Sequence, residues 1–170
     1  LTAGLGNRAL AEQVGISLQL EPNRGQILIT ERLAPFLEYP TNYVRQTGEG
    51  SVQLGYSNEA TGLNDAVSAN VMSKIAQQAV ACFPVLAKVQ LVRAWGALRV
   101  LTPDGFPIYQ ESNSFPGVFA LTCHSGVTLA AVHAYEVAPW ICGGAAPDEL
   151  ETFSDQRFKN VAYEVASNAH

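Results

Sequence analysis

Apolar and polar positions change period repeatedly along the chain, and each change predicts an element. Residues 8–14 carry a short helical pattern, with Asn7 placed to cap its start. Residues 25–33 (GQILITERL) alternate loosely and predict a long strand. Residues 42–46 (NYVRQ) and 51–56 (SVQLGY) flank Thr47-Gly48-Glu49-Gly50, a glycine-rich hairpin connection, so these segments predict three antiparallel strands. Within residues 66–82, Val67, Val71, Ile75, Ala79 and Cys82 recur at helical spacing; this amphipathic helix should cover the sheet and stop at Pro84. Residues 89–101 predict the next strand, turned by Pro103-Asp104-Gly105 into residues 106–109. Residues 118–122 (VFALT) predict a short buried strand, and 126–141 an apolar helix ended by Gly143-Gly144. Residues 148–157 form a polar tail in which Phe153, and Phe158 just after it, are docking residues. The expected fold class is α+β, an antiparallel or mixed sheet covered by helices.

Composition narrows the function classes. Of 170 residues, 48% are apolar and 15% charged, which suits a well-cored domain and excludes general disorder. The net charge of −5, with no basic run, argues against a nucleic-acid surface. Every apolar stretch is broken before the roughly 20 residues that a membrane span needs. Cys82, Cys123 and Cys142 lack paired metal-ligand spacing, so reduced thiols and no metal site are expected.

Two stretches carry candidate chemistry. In the first, residues 93–107 (RAWGALRVLTPDGFP), a strand enters a tight turn. In the second, residues 122–130 (TCHSGVTLA), a strand end passes through Ser125-Gly126 into a helix, aiming several backbone N–H groups one way, as an electron-rich group requires. Gly4-Leu5-Gly6-Asn7-Arg8-Ala9 matches the dinucleotide pattern G-x-G-x-x-A, but only three residues precede it and no βαβ crossover follows. Leu1-Thr2-Ala3-Gly4 reads as the tail of a strand whose start is missing.

Six pieces, in order, resemble the C-terminal half of the D-amino-acid oxidase-like family of FAD-dependent oxidoreductases: Thr2-Ala3-Gly4; Arg24-Gly25-Gln26-Ile27; Tyr43-Val44-Arg45-Gln46 through Leu54-Gly55; residues 95–107; His124-Ser125-Gly126-Val127-Thr128-Leu129-Ala130; and Leu150-Glu151-Thr152-Phe153-Ser154 with Arg157-Phe158. The family includes glycine and sarcosine oxidases, D-amino-acid dehydrogenases and hydrogen cyanide synthase subunits. The resemblance implies residues 1–24 as the tail of the FAD-binding domain, 25–109 as substrate domain, and 110–170 as a return to the FAD-binding domain. The N-terminal part of that Rossmann-like domain, which holds the adenosine half of the cofactor, has no counterpart here, so this chain should retain FAD weakly or not at all.

The resemblance also assigns roles. Arg99 would anchor the substrate carboxylate through a bidentate guanidinium; a strand-end ion pair with Asp104 or Glu111 is the structural alternative. Tyr43 and Arg45 would face the substrate from the hairpin, or form a surface pair. His124 would touch flavin or substrate, or serve as a packed structural histidine. Gly126, Val127 and Thr128 would lie under the flavin pyrimidine edge, and Ala3 and Gly4 would let backbone approach the cofactor. Thr128 stands where the sarcosine-oxidase branch has lysine. Ala97 and Val100 occupy the region where some relatives attach flavin through cysteine, which implies non-covalent FAD. Tyr109 replaces a frequent glycine, and Trp95 reads as core.

The implied activity is oxidation of the C–N bond of a small amino or imino acid, with the α-hydride passing to flavin N5. Three organisations stay open: a fragment of a flavoenzyme that is inactive alone, one part of a split or heteromeric dehydrogenase completed by an FAD-binding chain, or a non-catalytic remnant acting only in association. A cytoplasmic setting is expected, peripheral to the inner membrane if the enzyme is a dehydrogenase. Apolar surface facing the missing half should drive self-association.

Overall fold

The computed structural model describes residues 1–158 and has the expected α+β architecture. Its contacts divide the chain into two units: Asn23–Arg99, and Leu1–Pro22 together with the residues from Val100 onward. The sequence placed these boundaries at 24/25 and 109/110. The end of the second unit, residues 159–170, lies outside the described residues.

Unit Asn23–Arg99 is built on four strands, β1 (Glu21–Arg32), β2 (Val44–Gln46), β3 (Ser51–Leu54) and β4 (Leu91–Leu101). They form one sheet in the order β2-β3-β1-β4. β1–β3 and β2–β3 are antiparallel, with Leu28 opposite Leu54 and Val44 also opposite Leu54. That register sends Leu28, Val44, Val52 and Leu54 to one face, where Ile75 and Ala79 of the covering helix meet them. The helix spans Ala69–Cys82, and a Pro84–Lys88 3₁₀ turn follows it, adding Leu86 to the core. Strand β1 begins earlier than its alternation suggests and runs through Pro22.

Arg24 and Gln26 share one face of β1, because side chains alternate along a strand. Both grip Glu59. Arg24 forms an ion pair with it, and Gln26 donates to Glu59 Oε1 at 2.8 Å. Ser57 donates to the same oxygen at 2.6 Å, and Arg24 also donates to the Ala66 carbonyl at 2.6 Å. The backbones of Arg24 and Glu59 exchange N–H···O bonds of 2.9 and 3.0 Å. This polar knot fixes the loop that leads toward the helix.

The other unit contains a short helix, α1 (Asn7–Glu12), and a two-stranded antiparallel sheet of β5 (Ile108–Glu111) and β6 (Phe119–Thr122). Ala11, Ile16, Leu18 and Leu20 pack with Ile108, Ala120 and Phe158; Phe153 joins Tyr109, Val137 and Leu150 in a second cluster. Both docking phenylalanines of the tail are thus packed, and the tail itself holds a helix at Asp148–Glu151. The late helix starts at Ala130 rather than 126. It runs through Ala130–Val132, a π turn at His133–Val137, and Ala138–Ile141.

Asn7 differs from its expected role. It is the first residue of α1 rather than its cap, and it is fully buried (0% exposed). Its Oδ1 accepts the Ala3 N–H at 2.7 Å, while Nδ2 donates to the Leu121 carbonyl at 3.0 Å and Thr122 Oγ1 at 2.7 Å. The turn before α1 is therefore tied to the end of β6.

Burial opposes ionisation of Glu59, but hydrogen bonds from Arg24, Ser57 and Gln26, with the Arg24 charge, outweigh it and hold the carboxyl below its ordinary value. A depressed folded-state pKa stabilises above the unfolded value and loses that contribution as pH falls through the folded one. Glu59→Gln should therefore cost about 3 kcal/mol at neutral pH, because it leaves Arg24 buried without its partner. It should also flatten the decline in stability on acidification to about pH 3. Urea unfolding at several pH values measures both; an unchanged acid slope would contradict the assignment.

Candidate functional site

Arg99 sits on the outer part of β4, and Gly25 on β1 makes room for it. A Cβ at position 25 would overlap the Arg99 guanidinium, with Nη1 only 2.6 Å away. The same alternation that aims Arg24 and Gln26 at Glu59 turns position 25 to the opposite face. Nη1 of Arg99 donates to Asn23 Oδ1 at 3.0 Å and to the Ser57 carbonyl at 3.1 Å. The guanidinium lies 5.2 Å from the centroid of Tyr56, whose ring stacks on Tyr43 at 6.2 Å and 18°. Burial lowers the Arg99 pKa from its ordinary value, partly opposed by Tyr56, and a guanidinium stays charged under such a shift.

Arg99 has no carboxylate partner among the described residues; the two ion pairs there are Arg24–Glu59 and Arg157–Asp104. The strand-end alternatives are accounted for elsewhere. Asp104 is clamped by Arg157 through Nε at 2.8 Å and Nη2 at 3.1 Å, and Glu111 accepts the Gly117 N–H at 2.9 Å. A half-buried cation held only by neutral acceptors and an aromatic face can receive an anionic group with little rearrangement.

Tyr43 thus joins Arg99 through Tyr56, a residue that nothing in the sequence singles out. Arg45 is exposed and, two residues from Tyr43, shares its face of the hairpin. Trp95 is half-buried, with Arg93 over its ring at 5.3 Å.

In the other unit, a cavity of about 360 Å³ is lined by Thr2, Gly4, Val100, Cys123, Gly126 and His133, among others. Gly4 adopts φ +60°, a conformation that favours glycine, and its turn is the one Asn7 ties to Thr122. Two sequence-predicted cofactor segments, distant in the chain, therefore share one cavity. Val127 and Thr128 are exposed beside it, Val127 at 94%. The first turn-closing bond here runs from the Leu129 N–H to the Ser125 carbonyl at 3.0 Å, which leaves the N–H groups of residues 126–128 among the unspent donors of a helix start. Ala3 is exposed, its N–H spent on Asn7. His124 is exposed, and its hydrogen-bond partner among the described residues is the neighbouring Ser125 hydroxyl, at 3.2 Å.

His133 is among the lining residues that sequence reasoning missed. Its Nε2 lies 2.8 Å from the hydroxyl of Tyr109. Burial pushes the Tyr109 pKa up to about 12. No group of side chains among the described residues is arranged to hold a metal ion. No described helix is long and apolar enough to cross a membrane.

The lining suits one edge of a flat cofactor ring: two glycines without Cβ, unspent backbone donors beside them, and a volume in the range of ligand pockets. A model of the FAD dependent oxidoreductase family matches residues 1–140. An opine oxidase subunit of Rhizobium meliloti is 42% identical over 158 residues, covering 93% of this chain and 43% of that protein. Hydrogen cyanide synthase subunit HcnC of Pseudomonas protegens is 29% identical over 153 residues, 86% of this chain and 37% of that protein. Glycine oxidase from Geobacillus kaustophilus shares the fold at a TM-score of 0.79 and 21% identity, over 90% of this chain and 43% of that one. The chain thus spans less than half the length of these relatives.

Gly25→Ala should push the Arg99 guanidinium off Asn23 and Ser57 and destabilise the unit by about 1–3 kcal/mol. Gly48→Ala, where a Cβ would meet nothing within 4 Å, should stay within about 0.5 kcal/mol of wild type. Urea midpoints compare the two; equal effects would contradict the close approach at position 25.

Proposed function

The chain belongs to the FAD dependent oxidoreductase family, and from that premise we propose that it supplies part of an enzyme oxidising the C–N bond of a small amino or imino acid. The observation that carries this reading is Arg99, a half-buried guanidinium without a carboxylate partner among the described residues. Bound FAD would supply the hydride acceptor as C–N becomes C=N. Arg99 would hold the substrate carboxylate, so the α-carbon is presented in one orientation. Tyr56 and Tyr43 would form an aromatic wall beside that anchor, with Arg45 as an outer contact; His124, in the other unit, would be a separate ligand contact. A substrate amine arriving neutral needs no general base from this chain.

Gly4 and Gly126 would let backbone approach the ring edge, and the N–H groups of Gly126, Val127 and Thr128 would stabilise negative charge on it. Ala3 completes that turn. The names of the relatives, which specify opine and glycine as substrates, support the substrate class. Their designation as subunits supports a second reading: this chain works with a complementary chain that binds the adenosine half of FAD.

In the complete enzyme, Arg99→Lys should raise KM for the amino or imino acid by at least about tenfold with a smaller change in kcat, because lysine cannot reproduce the bidentate contact. Unchanged kinetics would eliminate the anchor. The purified chain alone should lose FAD on gel filtration; a stoichiometric yellow protein would contradict the proposal that the adenosine site lies elsewhere.

A further inference from the structure

The 130–141 helix departs from α geometry at one place, the π turn His133–Val137. Such turns shift the register of the following residues and recur at functional positions. Here Val137 enters the core with Tyr109 and Leu150, while His133 lines the cavity that Gly4 and Gly126 share. Tyr109 is 3% exposed, and its ring meets His133 edge to face at 5.7 Å and 78°. Phe153 packs on Tyr109 in the same manner, at 6.2 Å and 82°. The phenol is therefore held by rings, and its hydroxyl has one hydrogen-bond partner among the described residues, His133 Nε2 at 2.8 Å.

This geometry decides where the imidazole proton sits. A buried hydroxyl must donate or forfeit about 1–3 kcal/mol. With Nε2 as its one partner among the described residues, the phenol, which is protonated at neutral pH, satisfies its hydrogen by donating to Nε2. A neutral imidazole that accepts at Nε2 carries its hydrogen at Nδ1. Among the described residues, that N–H has no protein acceptor. Thr122 Oγ1, also in the wall, accepts the Asn7 amide N–H at 2.7 Å and keeps its own hydroxyl hydrogen. His133 thus offers the wall a ring N–H donor, beside the hydroxyls of Thr2 and Thr122.

We infer that His133 contacts the ligand of this cavity: locked by Tyr109 in the Nδ1–H form, it donates to a carbonyl oxygen or ring nitrogen on the edge of a flat heteroaromatic ring. The inference rests on the flavin reading above and adds to it a residue and a protonation state. Tyr109, which stands where relatives often keep glycine, acquires a reason: it is the positioning residue that orients the imidazole.

Two measurements test this separately. Nitrogen-15 NMR of the His133 imidazole in alkaline buffer should find the proton on Nδ1 in the wild-type chain and a shift toward Nε2–H in Tyr109→Phe. A wild-type Nε2–H tautomer would overturn the inference whatever the ligand. FMN, which carries the ring without adenosine, is then titrated to millimolar concentration while the Gly4 and Gly126 amide signals are followed. His133→Leu should weaken binding about threefold to tenfold, the loss of one hydrogen bond. His133→Asn, whose amide N–H can stand near Nδ1, should restore it. Equal affinity in the wild type and the leucine variant would overturn the His133 contact and leave the flavin cavity standing. No FMN response from the wild type would overturn both.

Discussion

The guanidinium of Arg99 occupies the volume that a side chain at position 25 would fill, and that close approach constrains the unit around it. Glycine at 25 is flanked by Arg24 and Gln26, which point the other way and close on Glu59. One three-residue stretch thus serves two faces of a strand. On one face a charge is neutralised within the protein; on the other a charge is held by neutral acceptors and an aromatic ring. The first arrangement stabilises the fold, and the second keeps a cation ready for an anion that the described residues do not provide.

The second unit depends on a comparable device made from an amide. Asn7 spends both ends of its side chain on backbone and hydroxyl groups from opposite ends of the sequence. An asparagine buried to this degree is tolerated because its hydrogen bonds are satisfied. The result is a cavity with glycine backbone on two sides. Its polar edge comes from a helix start and from an imidazole fixed by a buried phenol. Both units use a position without a side chain to admit another group, and both place a donor beside that opening.

Much of this was legible in the sequence. Strand alternation and helix period indicated the hairpin, the covering helix and the late strands, because those elements bury one face and leave the other in water. Gly4 and Gly126 could be singled out as candidates for one site, since each lies at a turn where backbone can approach a ligand. The contribution of Tyr56 could not be read, because stacking on Arg99 depends on how β4 lies beside β1. His133 was hidden for a related reason: in a helical pattern it is one polar residue among alanines, and only the π turn and Tyr109 give it a direction. Asn7 has the sequence position of a local cap, whereas its partners at Leu121 and Thr122 are remote in sequence.

Arg99 differs from the other buried arginines in being available to a carboxylate, and on that difference the functional reading turns. Arginine Nε–H correlation NMR during a titration with glycine or iminodiacetate addresses it most directly. A saturable shift of the Arg99 signal is predicted, while Arg24 and Arg157, already paired with Glu59 and Asp104, stay in place. Three signals that move together, or an Arg99 signal that does not move at all, would contradict it.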